Sequence, residues 1–358
     1  MRAMKVLTVL HSHNSGGAEH HALQLMKGLR ARGHEPMFAG PMDGWLGDQV
    51  RAAGLAWHHI PLHGLIDFPS VLRLALLARR TGADLIHGHL TRGAWYAGLA
   101  GKLARVANVA TAHSDNAGRH FGRADRIIAV SGAVARFLER QGYRPERIRM
   151  VHHGIADIAA RLPQDARVRT RAALGLAGDE PCMLMAARIV SAKGHDTALQ
   201  ALARLKNQPW TLLLAGNHQR DLGPQIQALA AQLGLAERVR FLGLRDDVPA
   251  LMAASDLLLA PSRREALSLT LLEASACRLP IVASTTGGIG EVVEEGASGL
   301  LVPPDDPAAL AAALGPLLAD PARRQAYGAR ARARYETGFT EDAMFERTLA
   351  VYREVAGS

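Results

Sequence analysis

The sequence predicts an α/β fold built as two Rossmann-like domains, each a parallel sheet with helices on both faces. Three observations carry this. Short apolar runs alternate with helix-patterned stretches along the whole chain, the β-α-β rhythm of parallel sheets. The rhythm runs twice, in two series separated by a polar, weakly patterned stretch, "IADIAARLPQDARVRTRAALGLAGDE". The chain has 358 residues, 48% of them apolar, which is more than one core needs and suits two.

In the first series "KVLTVL" reads as a buried strand and "GGAEHHALQLMKGLRARG" as a helix closed by Gly33. Strands follow at "EPMFAG", "LAWHHIPL", "ADLIHGH", "NVATAH", "DRIIAV" and "RIRMVHHG". The second series has strands "CMLMAAR", "WTLLLAG", "RVRFLG", "DLLLAP", "PIVAS" and "GLLVP". Its helices begin near Lys193, Asp221, Asp246, Glu265, Gly288 and Pro307. The last stretch, "TEDAMFERTLAVYREVA", reads as an amphipathic helix capped by Thr340, with Glu341 in its first turn. The expected domains are residues 1–155 and 175–339, with the helix at 340–356 packing back on the first and a linker plus one helix between them.

Charge is uneven. Residues 1–150 carry 20 Lys and Arg against 10 Asp and Glu, while residues 151–358 carry 22 against 23. Twelve of the 16 histidines also lie within residues 1–150. A basic half attracts polyanions, and an anionic membrane surface is the expected one. Nucleic acid is not expected, because no basic–aromatic interleaving or DNA-reading motif is present. The helical stretch "SVLRLALLARRTG" fits membrane docking, and equally an ordinary sheet-covering helix. The two cysteines, Cys182 and Cys277, sit in apolar stretches and read as free thiols in a reducing cytoplasm. The first residues read as a strand rather than a signal peptide, and no run of about 18 apolar residues occurs. The expected location is therefore cytoplasmic, peripheral at most on the inner face of the membrane.

The chemistry concentrates in the second half. "AARIVSAKGHDTAL" places Arg188 just past a strand and Lys193 five residues on, where a helix starts. A planar guanidinium, a mobile ammonium and the free N–H groups of a helix start suit a diphosphate, and could offset charge on a leaving group without a metal. "PSRREALSLTLLEASACRLP" puts Glu265 and Glu273 eight positions apart. On one helix that separation is roughly 12 Å, beyond the ~5–9.5 Å between glycosidase carboxylates. Two hydroxyl-reading acceptors along an extended ligand fit better than a hydrolytic pair, with a helix-surface Glu273 as the plain alternative. "ASTTGGIGEVVEEGASGLLVPPDD" offers Gly287 and Gly288 after a strand, but lacks the third glycine of a dinucleotide fingerprint. "RDDVPA" at 245–250 reads as a helix start rather than a metal signature.

Taken in order, these marks resemble the retaining glycosyltransferases of family 4, which have the GT-B fold. They are Arg188 and Lys193, "AGNH" at 215–218, "VRFLGLRDDVPALMAASDLLLAPS" at 239–262, Glu265 with Glu273, and "GGIGEVVEEGASGLLVPP" at 287–304. "LHSHNSGGAEHHALQLMKGL" resembles the family's first glycine loop. The resemblance implies two Rossmann-like domains facing a central cleft, the first for the acceptor and the second for a UDP- or GDP-linked sugar. It implies metal- and cofactor-free transfer of a sugar, with retained anomeric configuration, to a hydroxyl of a glycan or lipid-linked acceptor in cell-envelope polysaccharide or lipopolysaccharide synthesis. Arg188 and Lys193 would grip the diphosphate. Glu265 would hold the sugar, with the backbone of Ala266, Leu267 and Ser268 beside it, and Glu273 the ribose. Gly216 would lie against the donor. Gly16 and Gly17 would approach diphosphate and acceptor, and His113, at the tip of "NVATAH", would lie against the donor sugar. Glu19 has the plainer role of complementing a helix start.

The chain departs from the family pattern at Ala266, at Arg278 and at His153, where Gly, Gly and Asn are usual. A nucleotide-sugar epimerase or glycan phosphorylase shares the architecture, and a non-catalytic basic binding protein is the other alternative.

Overall fold

The structure, a computed structural model, describes residues 2–357 except 66, 115–117, 177 and 221. The chain divides into two compact units, residues 1–153 with 341–358, and residues 154–340.

In the first unit the elements run β1 (Lys5–Val9), α1 (Gly17–Ala31), β2 (Glu35–Gly40), α2 (Trp45–Ala52), β3 (Ala56–His59) and α3 (Phe68–Thr81). They continue β4 (Leu85–His89), α4 (Leu90–Ala104), β5 (Ala107–Ala112), β6 (Arg126–Ala129), α5 (Gly132–Arg140) and β7 (Ile148–Met150). The seven strands form one sheet in the order β3-β2-β1-β4-β5-β6-β7, every pair parallel. α3 shows how local sequence sets an element. Asp67 accepts hydrogen bonds from the Ser70 amide and hydroxyl, Pro69 sits in the first turn, and Gly82 closes the helix in the left-handed conformation. Its Val71, Leu74, Ala75 and Ala78 bury themselves with Leu7, Ile86 and Tyr96.

The second unit runs α6 (Ala166–Ala173), β8 (Cys182–Ala186), α7 (His195–Leu202), β9 (Thr211–Ala215), α8 (Gly223–Gln232), β10 (Val239–Gly243) and α9 (Val248–Ala254). Then come β11 (Leu257–Ala260), α10 (Leu269–Ala276), β12 (Ile281–Ser284), α11 (Ile289–Val292), β13 (Gly299–Val302), α12 (Pro307–Ala319) and α13 (Pro321–Gly338). Its six strands, again all parallel, order as β10-β9-β8-β11-β12-β13. Asp306 and Asp320, each followed by proline, cap α12 and α13.

All thirteen expected strands form, and two doubly wound parallel sheets result, as the sequence predicts. The segment expected as a linker differs. α6 belongs to the second unit, because Arg171, buried, donates to the carbonyls of Ala254, Gly178 and Glu180. Asp256 pairs with Arg167 and Arg171 and accepts the Cys182 amide, so the helix is tied to the amino ends of the central strands β8 and β11. The helix expected to start near Asp221, itself outside the described residues, begins at Gly223. The helix expected from Glu265 begins four residues later, at Leu269.

The last helix, α14 (Glu341–Ala356), belongs to the first unit. Met344, Phe345, Leu349 and Tyr352 share a core with Val6, Leu25 and Val109. Glu354 pairs with Arg126 and Arg149. Cys182 is buried and Cys277 half-buried, both as free thiols. Among the described residues no helix is long and apolar enough to cross a membrane.

Candidate functional site

In a doubly wound sheet ligands bind outside the carboxyl ends of the strands, where the strand order reverses. In the second unit that point lies between β8 and β11. Arg188 follows β8 by two residues, and Glu265 lies in the loop after β11. The backbone holds this loop closely. Gly194 takes a left-handed conformation (φ 67°), and any Cβ there would overlap the Pro261 carbonyl. Gly287 (φ 57°) packs as closely on the Glu265 carbonyl, and the Gly288 amide donates to Ala266. Arg263 then clamps the loop, with two bonds to Asp196 at 2.9 and 2.8 Å, one to the Ser191 carbonyl and an ion pair to Asp305.

This framework sets Lys193 Nζ 2.5 Å from Glu265 Oε2. Their side chains, with Ser268 and Thr270, line a small recess beside β8 and β11. A larger cavity of about 420 Å³ adjoins it and shares Ala186, Ala187 and Thr270. Arg188, Gly216 and Glu273 line this cavity, with Asn217 and Arg220. The structure therefore gathers Arg188, Lys193, Gly216, Glu265, Ser268 and Glu273 around one strand-end crevice. Ala266 lies in the same loop, while the Leu267 side chain is buried beneath it. The two glutamates do not share a helix as the spacing estimate supposed: Glu265 is in the loop and Glu273 on α10.

The electrostatics separate the charged groups. Arg188 is exposed and has no ion-pair partner among the described residues. Glu273 is half-buried, and burial pushes its carboxyl up to about 7. A carboxyl close to neutrality at physiological pH can accept hydroxyl bonds once it ionises. Asp247 stands at the N-cap of α9, the helix start expected at 245–250, and pairs there with Arg245. Arg278 explains a departure from the family pattern: it stands in the left-handed region (φ 60°) just after α10, where glycine carries no strain.

In the first unit the order reverses between β1 and β4. Gly16 is the extended N-cap of α1 and Gly17 its first residue. Glu19 is buried, with its carboxyl turned back to Gly16 across the helix start. His113 follows β5 and lines a cavity of about 380 Å³ with His11, Leu90, Arg92 and Phe121.

Behind His113 lies a group that sequence reasoning missed. His113 Nε2 is 3.1 Å from His89 Nδ1, and His153 Nδ1 is 3.0 Å from His21 Nδ1. His87 is held on both ring nitrogens, by Tyr352 Oη at 2.6 Å and Thr111 Oγ1 at 2.7 Å. Burial lowers His21, His89, His113 and His153 well below the usual imidazole value, and His87 to about 3. All five are neutral at physiological pH. His153, whose role the sequence left open, stacks on His113 with ring centroids 5.4 Å apart. The signal for this group was the crowding of histidines into the first half, with His87 and His89 two apart on one strand face.

Comparison with known proteins follows the same division. The family profile "Glycosyltransferase Family 4" matches residues 15–157, and "Glycosyl transferases group 1" matches residues 167–334. A relative from Kineococcus radiotolerans, called D-inositol 3-phosphate glycosyltransferase, is 36% identical over 317 residues, 75% of this chain and 71% of that protein. A glycosyltransferase of Rickettsia africae superposes with a TM-score of 0.91 at 22% identity, covering 99% of both chains. Anabaena HepE, solved with UDP and glucose, superposes with a TM-score of 0.86 at 24% identity, covering 98% of this chain and 100% of that one.

Proposed function

The chain belongs to glycosyltransferase family 4, and from that premise we propose that it moves a sugar from a nucleoside diphosphate sugar, UDP- or GDP-linked, to an acceptor hydroxyl with retained configuration. The observation that carries this reading is the crevice of the second unit, where Arg188 and Glu273 face one cavity and Lys193 pairs with Glu265 beside it. Arg188 and Lys193 take the diphosphate. Their fixed positive charge offsets the charge that develops as the diphosphate leaves, without a metal ion or other cofactor. Glu265, released from Lys193 as the phosphate arrives, holds a sugar hydroxyl, with the backbone of Ala266, Leu267 and Ser268 beside it. Glu273 accepts the ribose diol, and Gly216 lets the donor lie against the end of β9. The family resemblance assigns His113 to the donor sugar and the Gly16–Gly17 loop to the diphosphate. The departing phosphate takes the acceptor proton on the same face.

The acceptor is a glycan or lipid-linked glycan of the cell envelope, met at an anionic membrane. α3 supports this part. Phe68, Leu72 and Leu76, 72%, 51% and 48% exposed, recur every four residues and form one apolar stripe. Arg73 and Arg80 stand exposed on the same helix. An apolar stripe flanked by arginines suits insertion among anionic headgroups. A second reading, transfer to a phosphorylated polyol, draws on the name of the Kineococcus relative and on Arg92 and His11 in the first-unit cavity.

Incubation with labelled nucleotide sugars tests the reaction. Transfer, or slow hydrolysis without acceptor, with the product anomer matching the donor, is expected; an inverted product or simple interconversion of the donor overturns it. Supplying lipid-linked glycan and inositol 3-phosphate in parallel separates the two acceptors. Sedimentation with anionic vesicles at low salt tests the α3 stripe, and no pelleting ends the membrane reading.

A further inference from the structure

Three histidines in the first unit converge from three separate elements. His21 lies in the first turns of α1, His89 ends β4, and His113 follows β5. One ring nitrogen from each lies within 4.8 Å of the other two. We propose that His21, His89 and His113 bind a borderline divalent transition-metal ion, Zn²⁺ by preference, and that the bound ion withdraws His113 from the transfer reaction. The second half of this rests on the active-site role given to His113 above; the first half does not.

Hydrogen bonding within the cluster leaves room for an ion. His89 Nδ1 and His113 Nε2 share one hydrogen bond, while His89 Nε2 and His113 Nδ1 are buried without a partner among the described residues. Two neutral imidazoles can arrange that bond in only two ways. If His89 donates, its Nε2 is a bare lone pair and His113 Nδ1 carries an unused proton. If His113 donates, the roles exchange. Either way the two rings are joined by a single hydrogen bond whose partner nitrogens face each other, so an ion seated between them displaces that one bond and no other. Neutral imidazole is the ligating form, and burial keeps all three rings in it.

The donor set selects the ion. Three imidazoles, with no carboxylate or thiolate in the group, suit Zn²⁺, Ni²⁺, Co²⁺ or Cu²⁺ and not Mg²⁺ or Ca²⁺. Tetrahedral Zn²⁺ with bonds of about 2.0–2.1 Å needs nitrogens roughly 3.4 Å apart. The cluster reaches that by small ring rotations, and His89 and His113 are already closer. The outer shell is in place. His153 holds the Nδ1 of His21, and His87, fixed by Tyr352 and Thr111, packs its ring 4.1 Å from that of His89. His113 opens onto the 380 Å³ cavity, which supplies an entry path and a fourth position for water.

The full chain, stripped of metal, is titrated with Co²⁺ and followed by its visible absorption, then with Zn²⁺ in competition. One equivalent should bind, with the bands of a nitrogen-ligated tetrahedral ion. His89→Gln and His21→Gln should each weaken binding at least about 10-fold, since loss of even an outer-shell partner costs that much. His13→Ala, at an exposed histidine 3.4 Å from Asp43, should leave it unchanged. Circular dichroism and a thermal melt show that each variant folds; should one fail, the other carries the test. No cobalt spectrum at equimolar ion overturns the site, as does binding lost in His13→Ala and kept in both cluster variants. Zn²⁺ should also slow transfer, with recovery on chelation, whereas one bound equivalent with an unchanged rate overturns the claim that the ion withdraws His113 from transfer. A protein with no transfer activity would defeat the proposed function and leave the cobalt spectrum to decide the site.

Discussion

Glu273 makes the proposed donor site pH-dependent. Its carboxyl lines the cavity with Arg188 and is pushed up to about 7 by burial, from an ordinary 4.5. A group near 7 is about one part in eleven ionised at pH 6 and ten parts in eleven at pH 8. If the ribose diol binds the carboxylate, the apparent affinity for UDP or GDP rises about 10-fold between those values, because only the ionised fraction is competent. The diphosphate titrates in the same range, so the readout is the difference in slope between wild type and Glu273→Gln, measured by calorimetry. The variant should bind more weakly at pH 8 and lose the extra rise. The free protein gives a second readout. A carboxyl raised on folding contributes stability that is fully present below about 4.5 and is lost as pH rises through about 7. The shift corresponds to at most about 3 kcal/mol, reduced to about 2 kcal/mol because the group is half-buried rather than fully buried. Glu273→Gln should therefore be more stable than wild type at pH 8, and the gain should vanish near pH 4.5. Equal binding slopes for the two proteins would refute the assignment of the ribose to Glu273.

Lys193→Ala should lower turnover about 10²–10³-fold, the usual cost of one preorganised charge at a leaving group, while a thermal melt shows the fold intact. Unchanged transfer rates would remove the diphosphate assignment. Arg278→Gly should raise stability by about 1 kcal/mol in urea unfolding, because it relieves a left-handed non-glycine residue after α10; a loss would mean that the Arg278 side chain makes a stabilising contact. Tyr352→Phe leaves buried His87 Nδ1 without its 2.6 Å partner and should cost about 1–3 kcal/mol with an unchanged urea slope. An unaltered midpoint would show that α14 is not held to the sheet through that bond.

The strands were legible because parallel sheets buried on both faces write themselves as short apolar runs, although the edge strand β3, exposed along its whole length, departs from that pattern. The start of α10 was misread although Ser268 stands at its N-cap, where its side chain makes no cap bond. The loop is extended there by tertiary contacts, with Gly287 pressed on Glu265 and Arg263 bonded to Asp196, and neither is local in sequence. The same non-locality hid which unit the expected helix α6 belongs to, since its anchor is a buried Arg171 reaching Asp256 across 85 residues. That Arg188, Lys193, Glu265 and Glu273 gather around one crevice was legible because each lies in the segment after β8 or β11, which neighbour in one sheet. The histidine cluster was not. Its members come from α1, β4 and the ends of β5 and β7, and only the folded sheet order brings those ends together.

The central claim is that the crevice of the second unit holds a nucleoside diphosphate by its phosphates and its ribose. A thermal-shift panel of UDP, GDP, ADP and CMP with their sugars tests this on the wild-type chain and on Lys193→Ala. One diphosphate base, UDP or GDP, should raise the wild-type midpoint, and the rise should largely disappear in the variant. No shift with any nucleotide, or an equal shift in both proteins, would contradict the account.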